Sequence, residues 1–361
     1  MDFLKLSMRK RCAFSSEIFQ RFTVTSYPVS IKNRLYSTQK FVKITDVSPR
    51  DGLQNESKMI PLKMKLELIE RLASTGIRSI ECGSFVSPKW VPQMAESDQI
   101  LKHILQEKWN DDDKDTTYPT YSFLVPNSHG FNALRDQLQA YKPSSTTIAR
   151  SIPPIGVNIF LSATESFSQK NLNCSIKESI ERARLVVNAA LVANLQVRAY
   201  ISVVLGCPYE GYVVPSNVAS LAIELIEMGV SDIALGDTTG MGTKPNTLKL
   251  LKTLEAAGIS NKILTMHLHD TYGMSIANMI LGLEHGIRSF DGSVGGLGGC
   301  PYSPGATGNV GTEDLVYLCN SLGLETLIDL ESLVQVGQWA TQIIGRPNRS
   351  KVGSALLQKM K

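Results

Sequence analysis

The stretch TMHLHDTYG, residues 265–273, sets His267 and His269 two apart with Asp270 directly behind them, in a chain with five histidines. Side chains at i and i+2 on a strand share a face, so this pair can offer two imidazole nitrogens to one ion. A single buried histidine is more often a satisfied core residue; two on one face, ringed by carboxylates, favour a metal. Oxygen from Asp51 and from a side-chain amide would complete a mixed N/O set, which suits Mg or Mn better than tetrahedral Zn. Arg50 stands beside Asp51 in SPRDGLQNE. Its fork of donors fits a carboxylate or an enolate oxygen; a plain salt bridge is the structural alternative.

Those groups need a scaffold. From Phe41 onward, short β-branched runs alternate with amphipathic stretches, with strands expected at 41–47, 77–85, 119–125, 156–163, 196–205, 231–237, 262–270 and 287–294. Helices are expected over 61–75, 91–105, from Asn127, 174–194, 215–229, 244–258, 273–286 and 312–323. Gly76, Gly229 and Gly258 end helices just before the next strand, the left-handed cap that glycine enters cheaply. Eight strand–helix units over about 250 residues predict a (β/α)8 TIM barrel at 41–322, with an open doubly wound sheet as the alternative. A C-terminal helical extension is expected at 323–361. Two polar stretches, 107–118 and 141–154, read as surface insertions.

Active sites of such barrels gather at the C-terminal ends of the strands. Asp46, Glu81, Ser84, Asp237, His267, His269 and Asp291 all fall at expected strand ends, a placement independent of any motif. The glycine-rich GGLGGCPYSPGATGN, residues 295–309, follows the last strand and does not match the dinucleotide fingerprint. It reads as a hinged lid carrying Cys300; a long solvent loop is the plainer alternative.

Composition narrows the class. The chain is 43% hydrophobic and 19% charged, with no apolar run long enough to span a membrane, so a soluble globular protein is expected. Residues 1–40 hold eight Lys/Arg against two acids, a net +6 that exceeds the chain's +4 and leaves the remainder at −2. The body therefore lacks the basic surplus of a nucleic-acid binder. The leader, rich in Arg and Ser and poor in acid, fits a mitochondrial transit peptide. Six cysteines without CxxC spacing read as free thiols.

The motifs DVSPRDGLQNE, SFVSPKWVPQM, SATESFSQKNLNCS, LGCPYEG, LGDTTGMGT, HLHDTYG and GGLGGCPYSPGATGNVGTEDLVY resemble those of the 3-hydroxy-3-methylglutaryl-CoA (HMG-CoA) lyases, from about Phe41 to Lys351. HxHD is shared with sibling aldol and Claisen enzymes on the same barrel; SFVSPKWVPQM with GGCPYSPGATGN is far more specific. The resemblance implies cleavage of HMG-CoA to acetyl-CoA and acetoacetate, a step of leucine degradation and ketone-body formation, in the mitochondrial matrix by a homodimer. It implies Asp51, His267, His269 and Asn309 as ligands of a divalent metal, and Arg50 as substrate-binding and enolate-stabilising. His267 (or Asp51) would take the hydroxyl proton, Cys300 would act from the lid, and Glu81 and Asp237 would support them. The alternative is a sibling acetyl-CoA-dependent condensing enzyme of the 2-alkylmalate or homocitrate synthase type.

Overall fold

The computed structural model describes residues 40–106, 118–141, 153–299 and 307–360. The two polar stretches, apart from their ends, as well as Cys300 and the leader up to residue 39 lie outside the described residues. Eight parallel strands, β1 (Lys43–Asp46), β2 (Ser79–Ser84), β3 (Thr120–Leu124), β4 (Ile155–Ser162), β5 (Gln196–Ser202), β6 (Asp232–Asp237), β7 (Leu264–Leu268) and β8 (Ser289–Gly292), pair in sequence order. The ring closes where β8 meets β1, with Lys43 opposite Ser289 and Asp46 opposite Gly292. Each strand lies within a few residues of its expected run, because β-branched segments bounded by Gly, Pro and Asn leave little choice of period.

The helices between strands are α1 (Leu62–Ser74), α2 (Ser97–Gln106), α3 (Ser128–Ala140), α4 (Glu165–Leu172), α5 (Ile176–Val192), α6 (Pro215–Met228), α7 (Lys244–Ala256) and α8 (Ser275–Glu284). Then come α9 (Thr312–Ser321), α10 (Leu330–Ile344) and α11 (Lys351–Lys359). Local chemistry sets their starts. Asn127 accepts the Gly130 N–H at 3.0 Å, and Ser175 with Glu178 forms a reciprocal capping box at the head of α5. The short α4 was not foreseen; it runs only to Asn173, whose left-handed backbone stops it.

Gly76 shows why glycine ends α1. Its φ is +91°, and a side chain there would run into the Leu327 carbonyl. That contact lies next to the Thr75 carbonyl, which accepts from Asp329 N at 2.8 Å at the entry to α10. Beyond the barrel, α10 packs on the turn Val294–Gly296 that opens the glycine-rich loop. Glu313 of α9, fully buried, accepts from Gly295 N with both oxygens at 2.9 and 3.1 Å. Burial pushes its carboxyl up to about 8.

Candidate metal centre and reaction site

Directly after β1 the chain makes one π-helical turn, Ser48–Gly52, all of it buried. Such wide turns recur at functional sites. Here the Asp46 carboxylate accepts the Ser48 N–H at 2.8 Å and the Thr312 hydroxyl at 2.6 Å, pinning the turn to strand one and α9. Arg50 and Asp51 are carried into the barrel mouth. Opposite them β7 delivers His267, and His269 follows one residue past its end. His269 forms an antiparallel bridge with Asn309, so the returning end of the loop after β8 lies beside β7.

Asp51, His267 and His269 offer one ligand atom each within 4.8 Å of one another, all buried. Asp51 Oδ2 lies 3.8 Å from His267 Nε2 and 3.9 Å from His269 Nε2. Those gaps exceed a hydrogen bond but are within what one ion can bridge, since two bonds of about 2.0–2.2 Å reach ~4.2 Å. Asn309 donates Nδ2 to the same Asp51 oxygen at 2.8 Å, and its Oδ1 is buried without a partner. A half-turn of that amide would exchange Nδ2 for Oδ1, as oxygen ligation requires. Buried His269 Nδ1 likewise has no partner. The donor set fits a divalent cation.

Electrostatics agree with that fit. Burial raises the Asp51 pKa, but Arg50, His267 and His269 outweigh it and hold the carboxyl down at about 2. Burial, helped by His267, drops His269 to about 4 against the opposite pull of Asp51. An ionised carboxylate and a neutral imidazole are the protonation states a metal needs.

Beneath this cluster lies a polar floor. Glu81, fully buried, accepts from Arg50 Nε at 2.7 Å, from Tyr200 Oη at 3.0 Å and from Asn158 Nδ2 at 2.8 Å. A register shift between Glu81 and Gly83 marks a bulge, the device that re-aims side chains beside active sites. Arg50 also donates to Asp51 Oδ1 at 2.7 Å. Asp291 accepts from His267 Nδ1 at 3.0 Å and from Arg198 at 2.6 and 2.7 Å. The Tyr200 ring has two guanidiniums near it, Arg50 at 5.4 Å and Arg198 at 4.9 Å from its centroid. Asp237 receives the Gly242 N–H on Oδ2 at 2.9 Å, while its Oδ1 has no partner and burial pushes its pKa up to about 6.

The HMGL-like family model matches residues 41–339, from the first strand well into α10. The chain belongs to the HMGL-like family. Among its relatives, hydroxymethylglutaryl-CoA lyase of Pseudomonas mevalonii is 46% identical over 87% of this chain and 96% of its own length. The crystal structure of hydroxymethylglutaryl-CoA lyase from Pseudomonas aeruginosa superposes with TM-score 0.79 at 43% identity, over 89% of this chain and 99% of that one. An HMG-CoA lyase from Acinetobacter baumannii, solved with coenzyme A and 3-methylmalate, gives TM-score 0.76 at 30% identity, over 88% and 96%.

Within this HMGL-like barrel the residues singled out from sequence, Arg50, Asp51, Asp237, His267, His269 and Asn309, lie at the C-terminal mouth, while Glu81, expected at a strand end, is the third of six residues in β2 and lies in the floor beneath them. Six of these seven are joined by the contacts above; Asp237 is linked to His267 by charge and to His269 through its backbone carbonyl. Cys300 lies outside the described residues. Sequence reasoning passed over Asn158, Arg198 and Tyr200. The signal was available: the interior of a parallel barrel is normally branched and apolar, so Arg and Tyr two apart inside QVRAYIS needed a buried partner. Among the described residues, Cys82, Cys174, Cys207 and Cys319 are buried free thiols.

Proposed function

We propose that this chain is a carbon–carbon lyase that cleaves HMG-CoA to acetyl-CoA and acetoacetate by a metal-assisted retro-Claisen reaction. The observation that carries the reading is the convergence of Asp51, His267 and His269 beside Arg50. It occurs in a chain whose relatives over nearly the whole length are HMG-CoA lyases. The same relatives leave the condensing-enzyme reading without support of its own.

The reaction must deprotonate a tertiary alcohol while the thioester end departs as an enolate. An alcohol as weak an acid as water, pKa ~15.7, lies roughly nine units above imidazole, a gap of about 12 kcal/mol. No side chain in the mouth closes that gap alone. A divalent cation, Mg or Mn, held by Asp51, His267, His269 and Asn309 supplies Lewis acidity toward the substrate's hydroxyl and carbonyl oxygens.

The side chains supply the rest. His267 has Nδ1 occupied by Asp291, which leaves only Nε2, so the ring serves as ligand or as base but not both at once. Asp237, with a free Oδ1 and a pKa pushed up by burial to about 6, suits the task of proton acceptor. Arg50, held rigid by Glu81 and Asp51, faces the developing enolate with its charge fixed: despite burial, the two carboxylates push its pKa further up. Cys300 is assigned to the glycine-rich lid as the proton donor to the acetyl carbanion. The leader's composition supports a matrix address, and a homodimer is expected by resemblance.

Incubating purified protein with HMG-CoA and Mg or Mn, and assaying acetoacetate, tests the assignment. Acetoacetate that appears with metal and stops on chelation is expected; undiminished release after exhaustive chelation removes the metal from the mechanism.

A further inference from the structure

The two imidazoles are not equivalent. His267 Nδ1 lies 3.0 Å from Asp291 Oδ2, and the Tyr200 ring meets the imidazole edge-on at 5.4 Å and 81°. His269 Nδ1 has no partner at all, although the residue is only 4% exposed. Asp291 is itself gripped. Arg198 Nη2 donates to both of its oxygens at 2.7 and 2.6 Å, and Nη1 reaches Thr45 Oγ1 at 3.4 Å. Arg198 belongs to β5 and Asp291 to β8, strands that are not neighbours in the ring, so this ion pair crosses the interior of the cylinder. Asp291 is 1% exposed.

We propose that Asp291, clamped by Arg198, is a positioning residue that anchors His267 in one tautomer and one ring orientation, and so sets the affinity of the site for its divalent cation. The inference rests on the metal-assisted reading above. An ionised carboxylate only accepts, so its partner Nδ1 carries the hydrogen and Nε2 keeps the lone pair, on the side facing Asp51. The two contacts from Arg198, at 2.7 and 2.6 Å, hold Asp291 as that acceptor. An imidazole whose far nitrogen is held by a carboxylate is both fixed and more basic as a ligand, and removing such a support typically costs 10–100-fold in metal affinity. His269, lacking a support, selects its tautomer only when the ion arrives. His267 is the standing half of the pair and His269 the adaptable half.

Two measurements on the full chain test this. In the parent labelled with ¹⁵N-histidine, His267 is expected to show a slowly exchanging, downfield Nδ1–H and His269 none; identical signals from the two rings overturn the inference. In Mn²⁺ titrations of stripped protein, Asp291→Asn is expected to weaken binding 10–100-fold. Arg198→Lys, which keeps the charge but loses the fork, is expected to weaken binding in the same direction by less. Unchanged Mn²⁺ affinity in a folded Asp291→Asn overturns the proposal. Should Asp291→Asn not fold, Arg198→Lys and the parent's spectrum decide. A parent that fails to bind Mn²⁺ strikes the proposed function instead.

Discussion

Replacing Arg50 by Gln separates two jobs that the structure gives one guanidinium. The residue is 6% exposed and pairs with Glu81 at 2.6 Å and Asp51 at 2.7 Å. Glu81 would keep only Asn158 and Tyr200 as donors. Breaking a buried ion pair from one side costs roughly 3–5 kcal/mol, whereas replacing both partners is often near neutral. The single variant should therefore lose stability on that scale, and adding Glu81→Gln should restore most of it. Activity should follow a different course. Losing one preorganised donor to a developing oxyanion costs about 10²–10³ in kcat, and the second substitution puts no charge back where the enolate forms. Urea unfolding and acetoacetate release at saturating metal, measured on both singles and the double, complete the cycle. A double variant that recovers turnover along with stability would refute the enolate role and reduce Arg50 to a counter-ion for Glu81.

Two further outcomes follow from the same geometry. His267→Ala and His269→Ala should each lower the bound metal measured by elemental analysis; stoichiometric metal retained in both would end the reading of the pair as ligands. Glu313, held up at about 8 against an ordinary 4.5, keeps its proton in the folded chain where the unfolded chain has lost it. Between those values the folded form binds more protons, so stability falls as pH rises, by up to ~1.4 kcal/mol per pH unit. Glu313→Gln should flatten that slope in urea titrations from pH 5.5 to 7.5, and parallel slopes for parent and variant would count against it.

The barrel was readable because its signals are local and repeated. Runs such as VNIFLSA and QVRAYISVVL are too short for buried helices and too branched for loops, and caps such as Asn127 and Gly229 punctuate them. The convergence of Asp51, His267 and His269 was readable because HLHD and PRDG fall at or just past strand ends, where this architecture exposes side chains. What lay hidden was the cross-barrel wiring. Nothing local in QVRAYIS says that Arg198 will meet Asp291, 93 positions away, or that Tyr200 will have Arg50 near its ring as well as Arg198. Ring closure makes those neighbours, and hydrophobic periodicity carries no information about which inward residues face each other. The short α4 was missed for a related reason: eight residues of polar sequence give no apolar stripe.

The seam between first and last strands has a consequence for how this molecule comes into being. Asp51 accepts from Asn309, 258 residues further along, and Thr312 reaches back to Asp46 across 266. No growing polypeptide can own this pocket until nearly all of it has been synthesised and its two ends have met. A cation held by Asp51, His267 and His269 would therefore be a late arrival that cannot seed assembly; by mass action it would only weight the finished cylinder, adding RT ln(1 + [M]/Kd) to whatever stability the apo chain already has.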